Sequence, residues 1–433
     1  MKRPVTQVGL ITCAALVIAN MIGTGVFTSL GFQLAALRDP AAILAIWLLG
    51  GVFALCGALS YAELASALPR SGGEYHFMGR IYHPALGFMA GIISIVAGFA
   101  APVALSAMAF GQYFHAIFPA VPPRASAAGL VAIVTVVHCI NLSSSRNFQI
   151  GFTALKIALI SIFIGMGFFL PSAPVISLAP TAQTLPDMLR PEFAVSLMFA
   201  MYAYSGWNAA TYIAGEVRAP QQTVARSLVA GTVVVAVLYL GLNAAFLYST
   251  PADLLAGKLD IGRIAAEHLI GPAGGKMVAA FICLGLISAV SAMTWTGPRV
   301  YQVIGEDYFR LRFLSQRSAS GIPRRALVLQ SSLVLVMILT AAFESVLVFT
   351  QFALISCSVM TVAGVIVLRV RQPEISRPFR IPLYPLPPIL FALIGLFTMG
   401  YSLKNHPVES AAGAGALIGA LLLYAAVRER RMP

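Results

Sequence analysis

Apolar residues fall in long uncharged stretches that recur along the whole chain, and charged residues fall in the short connections between them. The stretches run over residues 4–37, 40–62, 83–123, 125–145, 147–187, 193–215, 227–252, 277–298, 326–343, 345–368, 381–403 and 410–427, with Lys156 the one internal charge of the fifth. Each can hold the ~20 apolar residues that cross ~30 Å of hydrocarbon. The third and fifth are longer, but they end in proline-containing segments, 118–123 and 171–186, that read as loops. The pattern therefore predicts twelve membrane-spanning helices. The longest polar connections, 249–276 and 299–325, are too short to build a core of their own, so any function lies within the membrane. In the first of them Leu254, Leu255, Leu259, Ile261, Ile264 and Leu269 stand among charges, a pattern that predicts short amphipathic helices lying over the outer face as a lid.

Composition points to the same solvent. Of 433 residues 59% are hydrophobic and only 10% charged, and the mean hydropathy is +0.87; a soluble domain carries about a quarter charged residues. The net charge of +13 would suit nucleic acid if it were gathered into one patch, but it is spread over short loops. With the N-terminus inside, the cytoplasm receives Lys2, Arg3, Arg70, Arg80, Arg146, Arg218, Arg226 and the basic runs within 299–325, 369–380 and 428–431. The opposite side receives Arg38, Arg124, Arg190, Lys258, Arg263, Lys276 and Lys404. The positive-inside rule then predicts a multi-pass protein of the inner cell membrane, surrounded by lipid, with both termini cytoplasmic. Lys2-Arg3 before an apolar run could open a signal peptide, yet the run is too long and a glycine break sits in its middle, so it reads as a retained first helix. Cys13, Cys56, Cys139, Cys283 and Cys357 all lie in predicted spans without a CxxC pair, which argues against a disulfide framework or a metal site. His76, His83, His115, His138, His268 and His406 form no close pair, and there is no GxSxG with partners, P-loop or HExxH. No cofactor and no enzyme activity are expected.

Two spans are interrupted by small residues near their middles, the first at Gly23-Thr24-Gly25 and the sixth at Ser205-Gly206, five helices apart. Glycines in membrane helices often only let neighbours pack closely. Paired breaks at equivalent positions instead mark the midplane substrate site of transporters built from inverted repeats. Unwinding at Gly23 to Gly25 frees the N–H groups of Thr24, Gly25 and Val26 at a new helix N-terminus, which carries roughly +0.5 of an elementary charge. That seat suits a carboxylate, and the Thr24 hydroxyl adds a donor. Carbonyls released from Ala19, Asn20, Met21, Tyr202, Ala203 and Ser205 suit an ammonium group. An α-amino acid carries both charges on adjacent atoms, and the backbone alone can bind it. Asn208 stands where it can reach a substrate side chain or cap the broken helix.

Seven runs sharpen this reading. Ile22 to Phe27 (IGTGVF), Tyr61-Ala62-Glu63-Leu64 and Pro69 to Tyr75 (PRSGGEY) are similar to the opening of an amino acid-polyamine-organocation transporter. Tyr202 to Asn208 (YAYSGWN), Gly215-Glu216-Val217, Thr296 to Tyr301 (TGPRVY), and Leu368-Arg369 through Arg377 to Pro382 (RPFRIP) resemble its L-type amino acid transporter branch, so the likeness covers essentially the whole chain. The resemblance implies a LeuT-like all-α fold: a first five-helix repeat over 1–170, a second inverted repeat over 190–370, and two further helices with a short tail over 381–433. It implies substrate contacts at Met21, Gly23, Thr24, Gly25, Tyr202, Ala203, Ser205 and Asn208. Tyr202 takes the place of an aromatic gate, against a plain packing role. Lys156, the lone lysine in a span, takes the place where sodium-coupled relatives bind a cation, which implies sodium independence; a lysine snorkelling to the cytoplasm is the competing reading.

Glu63 reads as structural or as a gate partner for a cytoplasmic Arg. Ser205 stands where relatives often carry glycine. The 119–126 loop lacks the cysteine by which animal relatives hold a heavy chain, so a monomer acting without that subunit is expected. No acidic residue is expected in the pocket, which favours neutral substrates. Exchange of one amino acid for another and proton-coupled uptake both remain open, while a membrane-embedded enzyme or a channel lacks the polar residues it would need.

Overall fold

The computed structural model describes residues 8–140, 145–170, 177–318 and 323–428, and the side chains of all of these except 145–150. Lys2, Arg3, Arg430, Arg431 and the side chain of Arg146, assigned above to the cytoplasmic side, lie outside the described residues. The helices are α1 Leu10–Met21, α2 Gly25–Ala36, α3 Pro40–Ala67, α4 Glu74–Ile81, α5 Pro84–Ile93, α6 Ala101–Ile117, α7 Pro123–Ile140, α8 Ser145–Phe169, α9 Thr184–Met188, α10 Pro191–Ala203, α11 Pro220–Ser249, α12 Ala252–Leu255, α13 Ile261–Thr296, α14 Pro298–Asp307, α15 Arg324–Thr340, α16 Phe343–Arg371, α17 Leu386–Asn405 and α18 Pro407–Val427. Ten helical segments are long and apolar enough to cross a membrane among the described residues. Two of the twelve expected spans fall short of that length for visible reasons. The sixth is cut after Ala203, leaving the 13-residue α10 and a 3-10 turn over Ala209–Glu216, and α15 begins at two arginines and runs for 17 residues.

Irregular backbone is concentrated around the centre of the molecule. Between α5 and α6 the helix widens into a π-helical segment, Ser94–Ala100. Pro102 follows directly; it has no N–H and its ring collides with the carbonyl of residue 98, the usual cause of such a distortion. α13 kinks at Ile270 and Gly271, the latter at φ +79°, just before Pro272. The expected lid over 251–270 resolves into α12 and the first turns of α13, with Leu255 and Ile261 fully buried and the Gly257 N–H bonded to Gly31 O at 2.8 Å. It therefore packs on the end of α2.

The two interrupted helices lie against each other in opposite directions: α2 packs on α10, and α1 packs on Ala209–Glu216. Buried side chains stitch the contact. Ser29 Oγ donates to Phe199 O at 3.2 Å, Gln33 Nε2 donates to Ser196 O at 3.1 Å, and Trp47 Nε1 from α3 donates to Gln33 Oε1 at 2.9 Å. At the far end of α1, Val8 forms an isolated parallel bridge with Val217, closed by Val8 N–H to Glu216 O and Arg218 N–H to Val8 O, both 3.0 Å.

Glu63 pairs with an arginine, one of its two expected roles. Arg369 donates to both carboxylate oxygens, Nε to Oε1 at 2.7 Å and Nη2 to Oε2 at 2.6 Å, and the Ile381 N–H adds a third bond to Oε2 at 2.8 Å. The Arg369 guanidinium also stacks over the Tyr384 ring, 3.7 Å from its centroid. Arg377 Nε lies 3.8 Å from the same carboxylate, so loss of Arg369 weakens the pairing of a buried charge and costs less than the ~3–5 kcal/mol of a fully stranded one. Arg369→Ala is therefore expected to lower the thermal unfolding midpoint by several degrees in detergent, and a midpoint unchanged from wild type would show that α3 and α16 do not depend on this clamp.

Candidate functional site

The first break spans Ile22 to Thr24, and Gly25 already begins α2. Ile22, at φ −75° and ψ 82°, interrupts the helix with a tight turn in which Gly23 N–H donates to Met21 O at 2.8 Å. The N–H groups of Thr24, Gly25 and Val26 reach no backbone acceptor among the described residues, as the first turn of a helix requires. Thr24 Oγ1 is buried and unpaired; it lies near the Tyr202 hydroxyl but outside hydrogen-bond geometry.

The second break spans Tyr204 to Asn208, with Gly206 at φ +99°. Only glycine adopts that conformation without strain, and here it also permits contact: a Cβ on Gly206 would stand 2.8 Å from Asn20 O. Gly25 has a similar neighbour, since a Cβ there would stand 2.4 Å from Ala203 Cα. The two breaks therefore touch backbone to backbone.

The carbonyls expected to be free divide into two groups. Met21 O accepts from Gly23 N–H and from Tyr239 Oη at 2.6 Å, Tyr202 O accepts from Ser205 N–H at 2.9 Å, and Ala19 O faces Lys156. Asn20 O, Ala203 O and Ser205 O accept no hydrogen bond among the described residues. Lys156, 4% exposed, turns to the break rather than to the surface: Nζ donates to Ile22 O at 2.9 Å and to Ala19 O at 3.4 Å.

Two cavities flank this junction. The smaller, about 10 Å³, is lined by Gly23, Ile22, Phe27 and Lys156. The larger, about 70 Å³, is lined by Asn20 from the first break, by Ser205 to Ala209 from the second, and by Gly98, Phe99 and Pro102 from the distorted segment before α6. Asn208 and Ser205 thus meet in one cavity, Gly23 and Lys156 in the other, and Thr24, Gly25, Tyr202 and Ala203 form the packed wall between the helices.

The expectation that no acidic residue lines the pocket is overturned. Glu74 lines the larger cavity together with Gln351 and Ser358. It reaches the interior because Gly72 and Gly73, at φ +121° and +53°, turn the chain sharply ahead of α4, and a Cβ on Gly73 would strike Tyr212 at 2.8 Å. Glu74 is 1% exposed. Its Oε1 accepts from Tyr61 Oη and from Ser358 Oγ, the latter at 2.8 Å, and its Oε2 has no partner. Burial pushes its carboxyl above the ordinary carboxylate range, against the pull of those two hydroxyls.

Residues 8–423 match the family described as Amino acid permease. The chain is similar to the b(0,+)-type amino acid transporter 1 of Mus musculus, with 28% identity over 412 residues, 93% of this chain and 83% of that protein. It is similar to the serine/threonine exchanger SteT of Bacillus subtilis (strain 168), with 26% identity over 434 residues, 98% and 97% of the two chains. The large neutral amino acids transporter small subunit 2 of Rattus norvegicus shares 26% over 431 residues, 96% of this chain and 80% of its own. These relatives are transporters and not enzymes. With apolar helices enough for many crossings, and with the match running over nearly its whole length, this multi-pass membrane protein belongs to the amino acid permease family.

Proposed function

We propose that the protein is a sodium-independent exchanger of L-amino acids in the inner cell membrane. One observation carries this reading: the two broken helices abut in opposite directions, so that the unpaired N–H groups of Thr24, Gly25 and Val26 and the unpaired carbonyls of Asn20, Ala203 and Ser205 meet at one junction. A zwitterion fits that arrangement, its carboxylate at the helix N-terminus and its ammonium among the carbonyls. The antiparallel apposition supports two inverted five-helix repeats, residues 1–170 and 190–370, with α10 plus its 3-10 turn and α15 as the spans that bring the number to twelve. Met21 and Gly23 belong to the same frame, and Tyr202 serves as the gate. The cation-rich loops support cytoplasmic termini, and the 119–126 loop without cysteine supports a monomer without a heavy chain, although the rat relative is named a small subunit.

Sodium independence follows from Lys156, whose ammonium rests on two carbonyl oxygens of the first break. Initial uptake rates into proteoliposomes are expected to be equal in sodium and choline buffers. A steep sodium dependence would remove Lys156 from this role. The exchange reading itself is tested by uptake of a labelled amino acid panel with and without internal amino acid: trans-stimulation is expected, and accumulation into empty vesicles driven by a pH gradient would replace exchange with proton symport. One observation favours that second reading, since Lys156 pairs with no carboxylate among the described residues and can lose its proton without breaking an ion pair.

A further inference from the structure

Glu74 is a carboxyl buried without a cation: no Lys, Arg or His forms an ion pair with it among the described residues. The titratable groups that face it are Tyr61 from α3, Tyr212 from the turn after α10 and Cys357 from α16. Two hydroxyl donors converge on Oε1 and none reaches Oε2. A second acceptor on the same wall, Oε1 of the buried Gln351, is also unpaired. Buried polar groups without partners are costly enough to be rare, and both of these are acceptors beside one cavity that extends to the helix breaks. What completes them is a donor.

We propose that Glu74 Oε2 is the side-chain subsite of the carrier, accepting a hydrogen bond from a short substrate side chain that carries an O–H or N–H donor. This rests on the amino-acid reading above, because it places the substrate backbone at the breaks and its side chain in the adjoining cavity. The size of the cavity sets the length. About 70 Å³ corresponds to roughly five water-sized groups, since one water occupies ~10–15 Å³ by the same measure, so the donor must sit near the β-carbon. The ordinary hydroxyl of serine and the ammonium of 2,3-diaminopropionate share this chemistry.

The hydrogen bonds at Oε1 make the test specific. In Glu74→Gln the amide must keep its oxygen toward Tyr61 and Ser358, which both donate, and so it turns its NH₂ toward the place of Oε2. An acceptor becomes a donor at a fixed point. Uptake is compared in proteoliposomes for serine against alanine and for 2,3-diaminopropionate against 2-aminobutyrate, pairs that differ by the donor. Turning that acceptor into a donor leaves a buried polar group of the substrate unsatisfied, which is worth about tenfold, so the serine/alanine ratio, the diaminopropionate/aminobutyrate ratio, or both are expected to fall about tenfold in Glu74→Gln. A fall in the first pair alone assigns the subsite to hydroxyls, and in the second alone to ammonium groups. Glu74→Asp, which withdraws the carboxyl by one methylene and keeps its chemistry, is expected to lower the same ratios to a smaller degree, and it decides the question if the glutamine variant does not fold. Ratios unchanged in both variants overturn the subsite, and so does a pH profile flattened by Glu74→Gln at constant ratios, which would make Oε2 a proton site. Failure of the wild type to take up any amino acid would instead overturn the reading on which the subsite rests.

Discussion

Gly25→Ala is expected to abolish amino-acid uptake in a protein that still inserts into the membrane. The Cβ it adds would stand 2.4 Å from Ala203 Cα and 2.6 Å from Ala203 Cβ, separations that neither helix can absorb without moving. Overpacking of this kind costs about 1–3 kcal/mol, and it falls on one of the two places where the breaks touch backbone to backbone. Larger side chains such as leucine act by the same displacement and need not occupy the carboxylate seat to be inactive. The companion variant Ala203→Gly removes the second of the two clashes, so the double variant is expected to recover part of the lost uptake and to show a coupling energy of the size seen between touching residues, about 0.5–3 kcal/mol. Full uptake by Gly25→Ala would mean that the helices do not approach this closely during transport.

Lys156→Ala is expected to impair turnover more than binding. The Nζ holds α8 against the carbonyls of Ala19 and Ile22, and a hydrogen bond from a charged donor is worth about 1.5–3 kcal/mol. Its loss frees the first break from the fifth span and shifts the balance between the conformations that open to either side. The N–H groups of Thr24, Gly25 and Val26 do not touch Lys156 in this arrangement, so affinity is expected to stay within about threefold while the exchange rate falls by about tenfold or more, in line with a change of ~1.4 kcal/mol or above. Single-turnover exchange combined with a thermal-shift titration separates the two quantities. A variant with a normal rate would make the lysine a bystander; a folded variant with no binding would make it a direct ligand. A ligand moves such a balance only by its differential affinity for the two states, so altered apparent affinities from the two sides of the membrane are part of the same expectation.

The breaks were legible in the sequence because glycine is the residue that tolerates them, and Lys156 because a lone charge in an apolar run has few explanations. Glu63 was legible in the same way, as an acid at the edge of a span with arginines within reach. Glu74 was not. In the sequence it is a glutamate behind two glycines at the start of a short helix, where an acid is already explained by the helix dipole. Its partners lie 13 and 284 residues away, and only the fold brings Tyr61, Ser358 and the cavity to it. The positive φ implied by Gly72-Gly73 was the available signal, because it turns the first residue of α4 inward. The role of Gly25 was half visible: the sequence pointed to close approach by a ligand, while the close approach present is that of Ala203. The shortness of α10 and α15 was not legible, because an uncharged run measures how much chain could lie in a membrane and says nothing of where a turn or a pair of arginines shortens the helix itself.

The bridge between Val8 and Val217 ties the chain ahead of α1 to the end of the turn that follows the second break. Only two backbone hydrogen bonds close it. A hydrogen bond contributes about 0.5–1.5 kcal/mol net, so together they form a latch of about 1–3 kcal/mol, a bias of roughly 5- to 150-fold in population. A contact of that size favours the closed end at equilibrium and can open locally without unfolding the helices on either side. A bulky fusion ahead of residue 8 is therefore expected to load this contact directly.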